Sequence, residues 1–245
     1  ETVQVTDETV AADAISDIAA NTMDASAIDL SAMRELTGTD ATITNAVNDL
    51  DNRGYLGGAI LSTDQALMLT QTDAGESAFN AGDLSHVINT LMWDFGVRTD
   101  ATDIQSVEGS SNDIAGILWS YDDGRVNLSD GNSSVAMTVT DGWAWAGDLL
   151  DAQYYLSDMG SDIHVSVAEG VTLEGAASDI VMLLSDPNID LAADVPVYID
   201  PAWENGQPVA TSAADLQTIL GRTTGAVDAS EITRLVGTDA ALLVE

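Results

Sequence analysis

Two short stretches gather oxygen-bearing side chains at spacings that suit a hard cation. In "YDDGRVNLSDGN", residues 121–132, Asp122, Asp123, Asn127, Asp130 and Asn132 are spread over two glycine turns. In "SDPNID", residues 185–190, Asp186, Asn188 and Asp190 occupy alternate positions. Carboxylate and amide oxygens converging from tight turns are the ligand set of Ca2+. The same Asp-Gly and Asp-Pro-Asn words also write ordinary turns. Calcium is the one cofactor expected. A third stretch, "DLDNRG" at 49–54, begins like a twelve-residue calcium loop with Asp49, Asp51 and Gly54. Arg53 stands at its fifth position and Ile60 at its twelfth, where the bidentate acid belongs, so it reads as a turn.

Trp143 and Trp145 flank Ala144 in "DGWAWAGD". Rings at i and i+2 cannot share a helix face, so one is exposed or both line a strand edge. Exposed aromatics beside acids suit stacking on sugars or an interface with another subunit. Trp93, Trp119 and Trp203 are expected in the core. Groups for catalysis are scarce. His86 and His164 lie 78 residues apart, and cysteine and lysine are absent. No G-x-S-x-G elbow, G-x-G-x-x-G, phosphate loop or H-E-x-x-H occurs. With 41 acids, close carboxylate pairs are inevitable and signal nothing. A protein that is not an enzyme is expected.

The elements that carry these residues are written in recurring words. "GDLSHVI" (82–88), "NDIAGIL" (112–118), "SDIVMLL" (178–184) and "ADLQTIL" (214–220) each place aliphatics at i+1, i+4 and i+5 from an Asp. That is a helical stripe with the acid in the first turn, where the helix dipole favours it. With looser copies the ruler reads Asp13, Asp49, Asp83, Asp113, Asp148, Asp179 and Asp215, in steps of 30 to 36 residues. Between them, "VQVTD" (3–7), "AILSTD" (59–64), "RVNLSD" (125–130), "AMTVTD" (136–141) and "VPVYID" (195–200) alternate like strands of about five residues. A second word, "DLSAMRELTGTDA" from Asp29, "DATDIQSVEGSSND" from Asp100 and "DASEITRLVGTDA" from Asp228, predicts a capped short helix ended by Gly. The expected fold is α/β, with strand-helix units of about 34 residues forming a solenoid-like or stacked layered array. Residues 1–50 hold N-terminal repeat units, 51–163 central units or an insertion, and 164–245 C-terminal units.

Composition narrows the setting. The net charge is −35, all six basic residues are arginine, and aspartate outnumbers glutamate 31 to 10. Glutamate suits helices better, so the aspartate excess points to caps, turns and cation ligands in calcium-rich extracellular surroundings rather than a halophile cytosol. Such a charge repels nucleic acid and anionic lipid. No apolar run approaches the ~20 residues of a membrane helix, so no membrane insertion is expected. The chain starts at Glu1 without Met, as a processed or excised segment does.

The alternation of "VTVTD"-like strands, alanine- and aspartate-rich helices and "GTDA" connectors resembles the degenerate repeats of very large secreted bacterial surface proteins. These are the adhesins and calcium-binding haemagglutinin-like giants exported by type I secretion. "VTLEGAASDIVMLLSDPNIDLAADVPVYID" and "VDASEITRLVGTDAALLVE" carry the likeness best. The glycine-rich nonapeptide calcium repeats of that class are absent here. The resemblance implies an extracellular or cell-surface structural protein that associates with copies of itself into a filament, sheath or surface layer, stabilised by calcium. A carbohydrate-binding adhesin module, with glycans as partners of Trp143 or Trp145, is the first alternative. A carboxylate-based hydrolase from a halophile is the second.

Overall fold

A computed structural model of the chain describes residues 2–22, 27–54, 59–73, 77–129, 135–159, 163–204 and 207–237. The chain divides into two compact units, residues 1–108 with 116–136, and residues 109–115 with 137–245. The elements up to residue 127 begin with β1 (Thr2–Gln4), β2 (Thr9–Ala11), α1 (Ala12–Asn21), β3 (Ala27–Leu30), β4 (Glu35–Gly38), α2 (Asp40–Gly54) and β5 (Ala59–Leu61). They continue with β6 (Leu67–Gln71), β7 (Phe79–Asn80), α3 (Ala81–Phe95), β8 (Thr99–Asp100), β9 (Ser106–Gly109), α4 (Ser111–Asp122) and β10 (Val126–Asn127). In this first unit β1-β3-β5 and β2-β4-β6-β8-β10 form two parallel sheets, and β7 pairs with β9 in parallel.

The remaining elements start with β11 (Ala136–Val139), β12 (Trp143–Trp145), α5 (Ala146–Met159), β13 (Val165–Val167), β14 (Thr172–Gly175), α6 (Ala177–Leu183) and β15 (Ile189–Asp190). After these come β16 (Val197–Ile199), β17 (Trp203–Glu204), β18 (Gln207–Pro208), β19 (Thr211–Ser212), α7 (Ala213–Arg222), β20 (Val227–Asp228) and β21 (Leu235–Val236). In the second unit β11-β13-β15 and β12-β14-β16-β20 are parallel, as is β19-β21. Only β17 and β18 pair antiparallel among the described residues. The protein is thus α/β with parallel sheets and seven described helices, and no described sheet closes into a barrel.

Alternation builds the sheets. In β6, Leu67, Leu69 and Gln71 point inward while Met68 and Thr70 are half-buried. Leu36, Leu69, Phe79, Leu84 and Ile88 fill the interior of the first unit, and Val165, Leu173, Ile180 and Val197 that of the second. Each helix starts within two residues of a strand's end. Where one residue intervenes, the strand closes on glycine, and two of these cannot carry a Cβ. At Gly38 it would meet the Thr42 hydroxyl, and at Gly175 it would lie 2.7 Å from Ala146 Cβ. Asp13, Asp83, Asp113, Asp148, Asp179 and Asp215 all sit in first helical turns. Asn80, Ser110 and Ser212 accept the N–H of Asp83, Asp113 and Asp215, the usual N-cap bond.

Four expectations change. Asp49 lies late in α2, whose first-turn acid is Asp40, and "DLDNRG" is the helical end of that element rather than a turn. The five predicted strands exist but span only two to four residues. Pairing steps run from 24 residues (Thr211 to Leu235) to 33 (Glu35 to Met68), uneven and all below the expected unit of about 34. The second word is not a helix. In all three copies the Asp lies at the end of a strand or one residue before it, its carboxylate accepts the N–H two residues on, and the chain goes on to another strand. The bonds are Ser31 N to Asp29 at 3.0 Å, Thr102 N to Asp100 at 3.1 Å and Ser230 N to Asp228 at 2.9 Å. A carboxylate capping N–H groups serves a turn as well as a helix start, which is why the word reads both ways.

Candidate functional site

The strand β12 carries the tryptophan pair. Ala144 points into the core, and the two-residue period turns both rings outward, with Trp143 51% and Trp145 48% exposed. Of the two placements the spacing left open, both rings lie together on one strand face, and β12 ends its sheet among the described residues. Register then sets their neighbours. Trp143 lies opposite Thr172 and Trp145 opposite Glu174, Glu174 faces Tyr198, and Tyr198 faces Asp228. The Tyr198 ring meets Trp143 edge to face, with centroids 5.7 Å apart and an interplanar angle of 89°, a favoured aromatic geometry.

This face is electrically one-sided. Glu174 is held above the ordinary glutamate range, first by burial and then by the charge of Asp200. The Tyr198 hydroxyl is pushed up as well, first by burial and then by Glu231, Asp200, Asp228 and Glu174. A plane of aromatic carbon rimmed by hydrogen-bond acceptors receives groups that stack and donate, such as sugar rings or organic cations, and repels anions. Sequence reading found the tryptophans and missed Glu174, Tyr198, Asp200 and Asp228. The alternation of "TLEG" and "VYID" tells which side each residue faces, but not which strand it meets.

Trp93 and Trp119 are not core residues: they are 68% and 40% exposed. Between them lies Arg125, almost fully buried, its guanidinium carbon 4.5 Å from the Trp93 ring centre and 4.3 Å from that of Trp119. Its Nε donates to Asp123 at 2.6 Å. The side chain of Trp203 lies outside the described residues.

The expected cation ligands are placed as follows. Asp122 closes α4, Asp123 follows it bound to Arg125, and Asn127 is exposed in β10. Asp130 and Asn132 fall outside the described residues. Asp186 accepts the Asn188 N–H at 2.7 Å in a tight turn, and Asp190 is exposed in β15. Among the described residues no three His, Cys, Asp or Glu side chains form a cation-holding group. His86 shares a 2.6 Å hydrogen bond with Asn48, and His164 is exposed just before β13. No described helix is long and apolar enough to cross a membrane. Comparison with known proteins adds no relative, since no family model, curated protein or solved structure matches this chain.

Proposed function

We propose that the chain is a non-enzymatic structural module of the cell surface or extracellular space, a solenoid-like stack of strand–helix coils that associates with copies of itself into a filament, sheath or layer. One observation carries the reading: strands two elements apart pair in parallel, over and over, with a helix following within two residues of a strand end. Coils of this kind bury their apolar faces on their neighbours, so association between ends extends the packing that holds each unit. At −35, copies repel until cations screen or bridge them, which makes calcium the natural trigger.

The test is to dialyse the protein against chelator or millimolar Ca2+ and follow light scattering and electron micrographs. Filaments, sheets or a marked rise in scattering with calcium are expected. Isolated particles under both conditions would sink the reading. A second reading, a carbohydrate-binding adhesin segment, draws on Trp143 and Trp145 standing exposed side by side. It predicts glycan-array binding that disappears in Trp143→Ala and Trp145→Ala.

A further inference from the structure

Six buried side-chain polar atoms have no hydrogen-bond partner among the described residues. Four of them are Asp40 Oδ1, Thr44 Oγ1, Gln71 Oε1 and Asp73 Oδ1. The fold brings these four residues together. Asp40 and Thr44 sit one turn apart on the same face of α2. The β4–β6 register pairs Gly38 with Gln71, and the Thr72 N–H donates to the Gly38 carbonyl at 2.8 Å. Residues 71–73 therefore leave β6 alongside residues 38–40, which enter α2.

The other polar atoms of three of these side chains are already engaged. Asp40 Oδ2 accepts the Asn80 N–H at 3.0 Å, and Asp73 Oδ2 accepts the Ser77 hydroxyl at 3.0 Å. Gln71 Nε2 donates to the Ser77 carbonyl at 3.0 Å, which leaves Oε1 as the spare atom of that amide. Gln71 is 5% and Thr44 8% exposed, so bulk water does not serve them. A buried acceptor without a donor costs stability, and native folds fill such gaps with water or an ion. Here all four spare atoms are oxygens, two of them on carboxylates that repel each other. Burial holds Asp40 above its ordinary range against the pull of the Asn80 N–H, the charges of Asp83 and Asp73 add to the rise, and the nearby Thr44 hydroxyl, one turn on, pulls weakly the other way, so these two side chains face the same spot.

We infer that Asp40, Thr44, Gln71 and Asp73 form a Ca2+ site, with solvent completing the shell. An all-oxygen set mixing carboxylate, amide and hydroxyl is what a hard cation takes, and Ca2+ accepts irregular geometry that Mg2+ does not. Two carboxylates make a weak site, with a dissociation constant on the order of 0.1–1 mM, the range of extracellular modules. The inference deepens the calcium part of the proposed function. It is tested on binding by dilute chains, separately from assembly.

The experiment is calorimetric titration of the chelator-treated chain with CaCl2, and separately with MgCl2, in about 150 mM NaCl to screen diffuse charge, with melting curves in parallel. A saturable calcium site, weaker magnesium binding and a calcium-dependent rise in Tm are expected. Asp40→Asn with Asp73→Asn should weaken the site at least ten-fold and abolish the rise in Tm, while Asp122→Asn and Asp186→Asn keep both. Gln71→Ala, a neutral change, should weaken binding several-fold and guards against a double variant that misfolds, as judged by circular dichroism in chelator. No saturable binding by the parent chain would overturn the inference, leaving the four oxygens to ordered water. Unchanged affinity in the folded double variant would overturn it too. Calcium-driven scattering that persists in that variant would then leave the assembly reading standing alone.

Discussion

The molecule uses paired tryptophans twice, with opposite outcomes. In the first unit Trp93 and Trp119 come from different helices and close on Arg125, which also holds Asp123. In the second, Trp143 and Trp145 come from one strand and open onto Glu174, Tyr198 and Asp228. The first pair already contains its cation, so its rings and acid serve stability. The second has rings and acids with no cation over the rings among the described residues, which is the arrangement the proposed ligand role draws on. Similar residue types close as a brace on an arginine in one unit and stand half-exposed beside acids in the other, according to whether the fold supplies the complementary charge.

Removing the cation from the brace should give the largest effect. Arg125→Ala strips two cation–π contacts and an ion pair from a buried position and should cost about 2–3 kcal/mol, read as a drop in Tm. A fall of less than about 0.5 kcal/mol would mean that the sandwich contributes nothing. Trp143→Ala with Trp145→Ala removes two half-buried rings and the Trp143–Tyr198 contact, so it should lower Tm by no more than Arg125→Ala does, while weakening ligand capture or calcium-driven association about ten-fold, the worth of two stacking contacts. If instead the second pair costs stability and the first does not, the two roles are reversed.

The contrast also shows what sequence patterns hold. Asp83, Asp113, Asp179 and Asp215 marked helix starts because dipole, cap and apolar stripe agree locally. Trp143 and Trp145 faced outward together because period two within a strand is local as well. The partners Glu174, Tyr198 and Asp228 were hidden because register between strands 24 to 30 residues apart is a property of the assembled core. Trp93 and Trp119 were misplaced because their apolar bulk suggested the interior, and nothing in "YDDGR" announced that Arg125 would go there instead. The corner word misled because an aspartate accepting nearby N–H groups suits a helix start and a strand corner equally.

Acid titration sharpens the same comparison on the outer sheet faces. In the first unit Glu35 accepts hydroxyls from Thr70 at 2.7 Å and Thr9 at 2.8 Å. These bonds, Thr70 first, lower its pKa below the ordinary 4.5. A lowered folded pKa means stability that is present above 4.5 and lost as pH falls through the lowered value. Glu174 is raised, so its charged form burdens the folded state above its raised pKa, and that burden is gone below 4.5. Glu35→Gln should therefore lower Tm at neutral pH and Glu174→Gln should raise it; the Glu174 difference should be gone below 4.5, and the Glu35 difference should fade only as pH falls further, through its lowered pKa. Shifts of the same sign at neutral pH would show that the two faces are not electrically distinct.

The smallest effects should come from the corner both units share, which makes it the control. Asp29 in the first unit is lowered by the Ser31 hydroxyl and then the Ser31 N–H, and Asp228 in the second by the Ser230 N–H and then its hydroxyl. Each carboxylate therefore stabilises its turn above the ordinary 3.8 and loses that role as pH falls through its lowered value. Both carboxylates are solvated, so Asp29→Ala and Asp228→Ala should each lower Tm by about a degree, by equal amounts, with the loss fading as pH falls below 3.8 through the lowered values. A much larger loss at Asp228 would tie that residue to the acidic rim around Tyr198 rather than to its turn. Equal losses would mean that the units differ in what their outer faces bind, and not in how their corners are made.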